Sequence, residues 1–138
     1  MIYKKITDIS TNNIFICVDS LDVGFDVFFK IENLNFSGSI KIKAALGMLS
    51  EYERKGILNH DRKIIESSSG NLGVALAMAC AAKNYSFTCV TDPNISPLNL
   101  TLMKAYGAEV LTIKGSGAAG YVQRRIDLIH QLMDKDPS

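Results

Sequence analysis

The residues best suited to chemistry form one short run of hydroxyl, amide and glycine residues, Glu66-Ser67-Ser68-Ser69-Gly70-Asn71-Leu72-Gly73. It lies between a short apolar stretch and an alanine-rich stretch of helical character. At such a junction, backbone N–H groups at the helix start lack partners, and the helix dipole attracts negative charge. We therefore predict that Ser68, Ser69, Gly70 and Asn71 bind a carboxylate or phosphate. A serine-capped helix whose glycines serve packing alone fits the spacing equally well.

A second run delivers a lysine to the predicted start of a helix, Asn35-Phe36-Ser37-Gly38-Ser39-Ile40-Lys41. The helix dipole disfavours a cation at that position, and so favours the neutral amine that attacks a carbonyl to form an imine. A lysine taken in isolation is more often a solvated surface residue. Lys41 is thus a candidate catalytic residue that its type alone does not separate from Lys43 or Lys4.

A third candidate is the glycine-rich segment 114–120, which precedes a helical pattern containing Arg124 and Arg125. It could hold a phosphate, but a flexible loop is the favoured interpretation. Two arginines on a helix that also carries Asp127 are typical of a solvated face. We expect the same of His130.

The composition limits the classes of partner. Fifteen basic and 14 acidic side chains give a net charge of +1, spread without runs. This balance argues against a nucleic-acid or anionic-membrane partner and leaves small molecules or another protein. No apolar stretch approaches the length of a membrane span, and we expect neither export nor membrane insertion.

The three cysteines indicate a reducing environment. Cys17, Cys80 and Cys89 are odd in number and lack the spacing of metal ligands. We expect no metal site and a cytoplasmic location. Cys80 and Cys89 lie within apolar stretches, which predicts that they belong to the core.

Strand and helix patterns alternate through most of the chain. Short β-branched runs separated by longer helical ones predict βαβ units and a parallel sheet, hence an open α/β fold. Two β-rich pieces, 14–18 and 26–32, come first. The remaining elements are a helix from Ser39 to Gly56, strands at 63–66, 87–91 and 110–113, and helices at 71–83, 97–106 and 121–133.

Two motifs resemble the fold-type II pyridoxal-phosphate enzymes, the family of cysteine synthase and cystathionine β-synthase. Residues 35–43 are similar to the family's Asn-Pro-x-Gly-Ser-x-Lys-Asp-Arg loop, with Lys41 at the position of the cofactor-binding lysine. Residues 66–77 are similar to its Glu-x-Thr-Ser-Gly-Asn-Thr-Gly-x-Ala-Leu-Ala segment. The resemblance implies that Asn71 contacts the phenolic oxygen of pyridoxal phosphate, and that Ser68, Ser69 and Gly70 with Asn71 grip the substrate carboxylate. Phe36, Ile42 and Lys43 depart from the loop pattern.

The resemblance also implies an architecture. The chain would be the amino-terminal portion of such an enzyme, with an open three-layer parallel sheet that is incomplete without a carboxy-terminal domain. Residues 1–35 would be strands that pair with that larger domain, and residues 36–138 the small α/β domain. The family's phosphate-binding loop would lie beyond residue 138. We therefore expect a homodimer or a complementing carboxy-terminal chain.

The implied activity is β-replacement on a serine derivative. O-phosphoserine or O-acetylserine would lose its β-substituent to give an aminoacrylate, which the amine of glutamate or a sulfide then attacks. Leu72, the segment 92–100, and Gly120-Tyr121 followed by Arg125 are similar to the family branch that makes 2,3-diaminopropionate for siderophores. A catalytically silent homologue, acting only as a folding or interaction unit, is the alternative.

Overall fold

The computed structural model describes residues 2–5, 8–9, 11–115 and 120–135. A short antiparallel hairpin comes first and is followed by alternating helices and strands, as the α/β pattern predicts. The elements are β1 (Phe15–Cys17), β2 (Phe28–Lys30), a 3₁₀ turn (Glu32–Leu34), α1 (Lys41–Arg54), β3 (Ile64–Ser67), α2 (Asn71–Lys83), β4 (Phe87–Thr91), α3 (Pro97–Ala105), β5 (Glu109–Thr112) and α4 (Gly120–Lys135).

The central sheet has three parallel strands in the order β3-β4-β5. Ser67 at the end of β3 is level with Val90 of β4, and Thr91 is level with Thr112 of β5. Each crossover between neighbouring strands is a helix, and right-handed crossovers put α2 and α3 on the same face of the sheet. The predicted α/β class with a parallel sheet is therefore confirmed.

The core lies between this sheet and α2. Every residue of α2 from Gly73 to Cys80 is buried, because the helix packs against β4, α1 and α3 at once. A helix covered on several sides has no need of a polar face, which explains its alanine-rich sequence. Ala45 and Leu49 of α1 and Met103 of α3 complete this core.

Side chains along β4 alternate between the two faces of the sheet, and both faces are buried. Phe87 and Cys89 join the core on the α2 side. Val90 points the other way, is also fully buried, and faces the side where α4 contacts β3 and β4. Helices thus cover both faces, which gives the three layers that the sequence predicted.

Local signals set the boundaries of α2 and α3 within one residue of the predicted positions. The side chain of Ser96 accepts a hydrogen bond from the Asn99 N–H at 3.1 Å, with Pro97 in the first turn of α3. Gly107 has φ +83° just after that helix. Asn84 ends α2 in the left-handed conformation, φ 59°.

The hairpin is shorter than the sequence predicted. Both strands comprise three residues, and Glu32 lies in the 3₁₀ turn, not in a strand. The reason is local, because the backbone N–H and side-chain amide of Asn35 both donate to the Glu32 carbonyl. Phe28 and Phe29 are 60% and 55% exposed, so the hairpin has large apolar side chains on its surface.

Within the residues that the structure describes, no helix is long and apolar enough to cross a membrane. Over the same residues, no three His, Cys, Asp or Glu side chains gather closely enough to hold a metal ion.

Gly73 and Gly47 offer a matched test of the packing between α2 and the sheet. A Cβ at Gly73 would lie 2.5 Å from Met103 Cε and 3.1 Å from Cys89 Sγ, whereas one at Gly47 meets nothing within 4 Å. Gly73→Ala should therefore lower the free energy of unfolding by about 1–3 kcal/mol through overpacking. Gly47→Ala should raise it by ~0.5–1 kcal/mol, because alanine loses less backbone entropy in a helix. Urea denaturation measures both, and equal effects would contradict the packing described for α2.

Candidate active site

The hydroxyl and amide run lies where the fold favours ligand binding. β3 ends at Ser67 and α2 begins at Asn71, so residues 67–71 form a turn at the carboxyl end of a parallel strand. We call it the serine turn. In open parallel sheets, ligands bind outside the carboxyl ends of the strands. The predicted position between a strand and a helix is confirmed.

Ser68 shapes the serine turn from the inside. Its backbone N–H donates to the Val90 carbonyl at 3.0 Å, and its own carbonyl accepts from the Cys89 thiol at 3.3 Å. Its hydroxyl accepts from the backbone N–H of Gly73 at 3.0 Å and of Gly70 at 3.3 Å. Ser68 is only 7% exposed. Its hydroxyl therefore accepts hydrogen bonds from N–H groups at the start of α2, and it does not face outward as a donor.

The outer side of the serine turn keeps unpaired donors. Asn71 is exposed and Ser69 is half-buried. In the part of the chain that the structure describes, the backbone N–H groups of Asn71 and Leu72 have no acceptor. Gly70, at the N-cap, provides no side-chain cap. These donors lie at the positive end of the α2 dipole, where a negative charge is favoured over a positive one.

Lys41 is the first residue of α1 and is exposed. Its backbone N–H donates to the Ser39 hydroxyl at 3.3 Å, and Gly38, with φ +68°, turns the preceding chain. Over residues 11–115 and 120–135, no hydrogen bond or ion pair involves its ammonium group. α1 and α2 pack together, but no bond joins Lys41 to the serine turn in the described residues. The structure thus leaves the amine accessible, at the positive end of the α1 dipole.

Arg125 is buried, and the solvated face expected for it is wrong. Its guanidinium donates to Asp92 at 2.8 Å, and the two side chains are 10% and 5% exposed. Asp92 directly follows β4 and also accepts from the Asn94 N–H, so this pair ties α4 to the end of the central strand. Removing one member of such a buried pair leaves an uncompensated charge.

Arg124 holds the start of the glycine-rich segment. Its guanidinium donates to the carbonyls of Gly115, at 2.6 Å, and Lys114. These bonds occupy the guanidinium with backbone oxygens. Residues 116–119, the centre of the segment for which a flexible loop is favoured over a phosphate site, lie outside the described residues. His130 is exposed, as expected.

The buried cysteines are not nucleophiles. Cys80 and Cys89 are 1% and 0% exposed, which confirms their predicted place in the core. Burial raises the pKa of the Cys80 thiol to about 12 and that of Cys89 to about 11. Both therefore stay protonated at neutral pH, and thiolate chemistry is excluded for them.

Residues 15–137 match the family of pyridoxal-phosphate-dependent enzymes. The chain belongs to this family. Its members depend on pyridoxal phosphate, so the family and the cofactor predicted from the two motifs are confirmed.

Individual relatives narrow the comparison. Over 114 residues the chain is 44% identical to N-(2-amino-2-carboxyethyl)-L-glutamate synthase of Ralstonia nicotianae. The matched region covers 81% of this chain and 33% of that enzyme. A hydrogen sulfide-producing enzyme of Fusobacterium nucleatum superposes with a TM-score of 0.87 at 31% identity, over 99% of this chain and 44% of that one. A cysteine synthase of Entamoeba histolytica, at 23% identity, has the same fold with a TM-score of 0.87, over 100% of this chain and 42% of that one. The chain thus spans about a third of the length of its curated relative.

The donors that the structure describes fit part of pyridoxal phosphate. The cofactor has an aldehyde, for which Lys41 offers an accessible primary amine, and a phenolic oxygen, for which Asn71 offers an exposed amide. The free N–H groups of the serine turn suit the carboxylate of an amino acid. The described residues therefore contain an amine, an amide and free backbone N–H donors of the kinds that the cofactor and an amino-acid carboxylate would need.

Proposed function

We propose that this chain is the part of a pyridoxal-phosphate-dependent β-replacement enzyme that holds the amino-acid substrate and supplies the catalytic lysine. The observation that carries the proposal is the serine turn, with unpaired N–H groups at the carboxyl end of β3. Lys41 would bind the cofactor and act as catalytic base. Asn71 would contact the cofactor, and Ser69, Gly70 and Asn71 would bind the substrate carboxylate.

Ser68 has a supporting part in this proposal. Its hydroxyl is bonded to the Gly73 and Gly70 N–H groups, so it would shape the turn while the neighbouring donors face the carboxylate. A carboxylate held by several N–H donors is fixed in direction as well as position. The substrate Cα would then be held in one orientation toward the lysine.

Proton movement is the chemical task of Lys41 in this scheme. When bound, the cofactor ring system stabilises the negative charge that develops at the substrate Cα. Lys41 Nζ would take the Cα proton as a neutral amine and later return it. The accessible side chain at the start of α1 suits that role.

The proposed substrate is a serine derivative with a leaving group on Cβ, such as O-phosphoserine or O-acetylserine. The relative from Ralstonia nicotianae has a name that describes a 2-amino-2-carboxyethyl group on glutamate. We propose the glutamate amine as acceptor and sulfide as the second choice, because identity to that relative exceeds identity to the sulfide-producing enzyme. The product would be a siderophore precursor, made in the cytoplasm, where the unpaired Cys80 and Cys89 remain reduced.

Trapping of the cofactor on a lysine tests the proposal. Incubation with pyridoxal phosphate, borohydride reduction and peptide mass spectrometry should find the label chiefly on Lys41. Lys41→Ala should abolish the chief labelled site and the visible absorbance band, because the amine of Lys43, the other lysine in the first turn of α1, is paired with Glu32. Lys104→Ala is the matched control, since Lys104 is also an exposed helical lysine, and should retain both signals.

Labelling spread equally over Lys41 and Lys104 would contradict the proposal. That result would favour the alternative of a catalytically silent α/β unit.

We also propose that the β1–β2 hairpin is covered by a larger domain or by a second or complementing chain. Its six residues are all exposed, including Phe15 at 53% and Ile16 at 54%. A lone two-stranded hairpin is only marginally stable in water. The longer relatives have additional chain that could cover this surface.

Hydrogen exchange tests the coverage of the hairpin. In a monomer shown by sedimentation, amides of residues 14–33 should exchange nearly unprotected, because few contacts hold them. The buried residues 73–80 of α2 provide an internal control and should exchange slowly. Protection of the hairpin equal to that of α2 in a proven monomer would show that the hairpin needs no cover.

A further inference from the structure

The carboxylate of Glu32 joins the two sides of the loop that delivers Lys41. It accepts from Lys43 Nζ at 2.8 Å and from the Asn35 side-chain amide at 2.7 Å. Asn35 opens the loop, and Lys43 lies two residues beyond Lys41. One carboxylate thus binds the chain before and after the proposed catalytic residue.

Asn35 is the buried anchor at the start of the loop, 8% exposed. Its side-chain amide also donates to the Glu32 carbonyl at 2.7 Å, and its side-chain oxygen accepts from the Thr11 hydroxyl. Its backbone carbonyl accepts from the Gly38 N–H at 2.7 Å. Both polar ends of this side chain are bonded, so the point where the loop leaves the 3₁₀ turn is fixed.

Lys43 is the anchor on the helical side. Its side chain is 32% exposed and that of Glu32 is 20% exposed. The hydrogen bond from Lys43, and to a smaller extent the one from Asn35, lowers the pKa of Glu32. The carboxylate therefore stays charged to lower pH than usual. Lys30 adds a second cation at 3.5 Å. The ion pair holds the first turn of α1 against the 3₁₀ turn.

The segment between these anchors has little else to hold it. Residues 36–40 form no strand or helix, and Gly38 adopts a positive φ. Catalytic groups must stay close to their productive geometry, and side chains on loops need support from neighbouring bonds. The Lys41 amine itself has no bond in the described residues, so its placement depends on its backbone.

We propose that Glu32, Asn35 and Lys43 form a clamp that positions Lys41. None of the three would touch the substrate, so they are positioning residues. This inference rests on the proposed function of Lys41 but concerns different residues. Lys43 replaces the arginine of the family's loop pattern, and in this chain it supplies the cation that Glu32 binds.

Two readouts on the full 138-residue chain test the clamp. The first is hydrogen exchange of the Gly38 and Lys41 amides, which are the loop amides with acceptors in the described residues, compared with residues 73–80. The second is borohydride-trapped pyridoxal phosphate on Lys41, relative to Lys104. Glu32→Gln and Lys43→Met should speed exchange of the loop about tenfold and lower Lys41 labelling by about tenfold, as expected for a displaced reactive group.

Lys43→Arg should retain wild-type values in both readouts, because arginine keeps the cation. Glu51→Gln is the matched control on the same helix, since Glu51 pairs with Arg54 and Lys55 in an exposed cluster, and it should change neither readout. Unchanged loop exchange in Glu32→Gln and Lys43→Met would overturn the clamp. Faster exchange at 73–80 in both variants would also overturn it, because the effect would then be global.

The two readouts separate this inference from the proposed function. Equal labelling of Lys41 and Lys104 in the wild-type chain would overturn the role of Lys41. Loop exchange does not depend on the cofactor, and so it decides the clamp in that case as well.

Discussion

The site depends on the hydrogen bond by which the Gly73 N–H donates to the Ser68 hydroxyl, 3.0 Å long. It joins the end of β3 to the first turn of α2. Because Gly73 has no side chain, α2 packs so closely that a Cβ there would lie 2.5 Å from Met103 Cε and 3.1 Å from Cys89 Sγ. The helix therefore begins directly at the sheet edge, with its free N–H groups facing outward.

The two halves of the proposed site are supported in different ways. The serine turn is fixed by the sheet, since Ser68 bonds to Val90 and accepts a thiol bond from Cys89. The loop of residues 36–40 that delivers Lys41 is anchored at its two ends by polar bonds from Asn35 and Lys43 to Glu32. In the proposed enzyme, the serine turn would hold the substrate carboxylate. Lys41, anchored through polar bonds, would move the substrate proton.

Sequence patterns predicted the local features well and the distant pairings poorly. The bounds of α2 and β4 follow from neighbouring residues, and the structure reproduces them. Arg125 was assigned to a solvated face because its partner Asp92, 33 positions away, cannot be identified from helical spacing. Glu32 is an exception to this rule, because the bonds that turn it come from nearby Asn35, and the β-rich pattern of residues 26–32 does not reveal them. The inward role of Ser68 could not be predicted either, because its hydroxyl accepts from the Gly73 N–H and that bond depends on where α2 begins.

The central claim is that the serine turn receives the carboxylate of an amino acid, and amide chemical shifts test it most directly. Titration of the ¹⁵N-labelled chain, with pyridoxal phosphate present, should use L-serine and serinol, which lacks the carboxylate. The account predicts that serine shifts the amide signals of Ser69, Gly70, Asn71 and Leu72, and that serinol leaves them in place. Equal shifts with both compounds, or serine shifts confined to other parts of the chain, would contradict it.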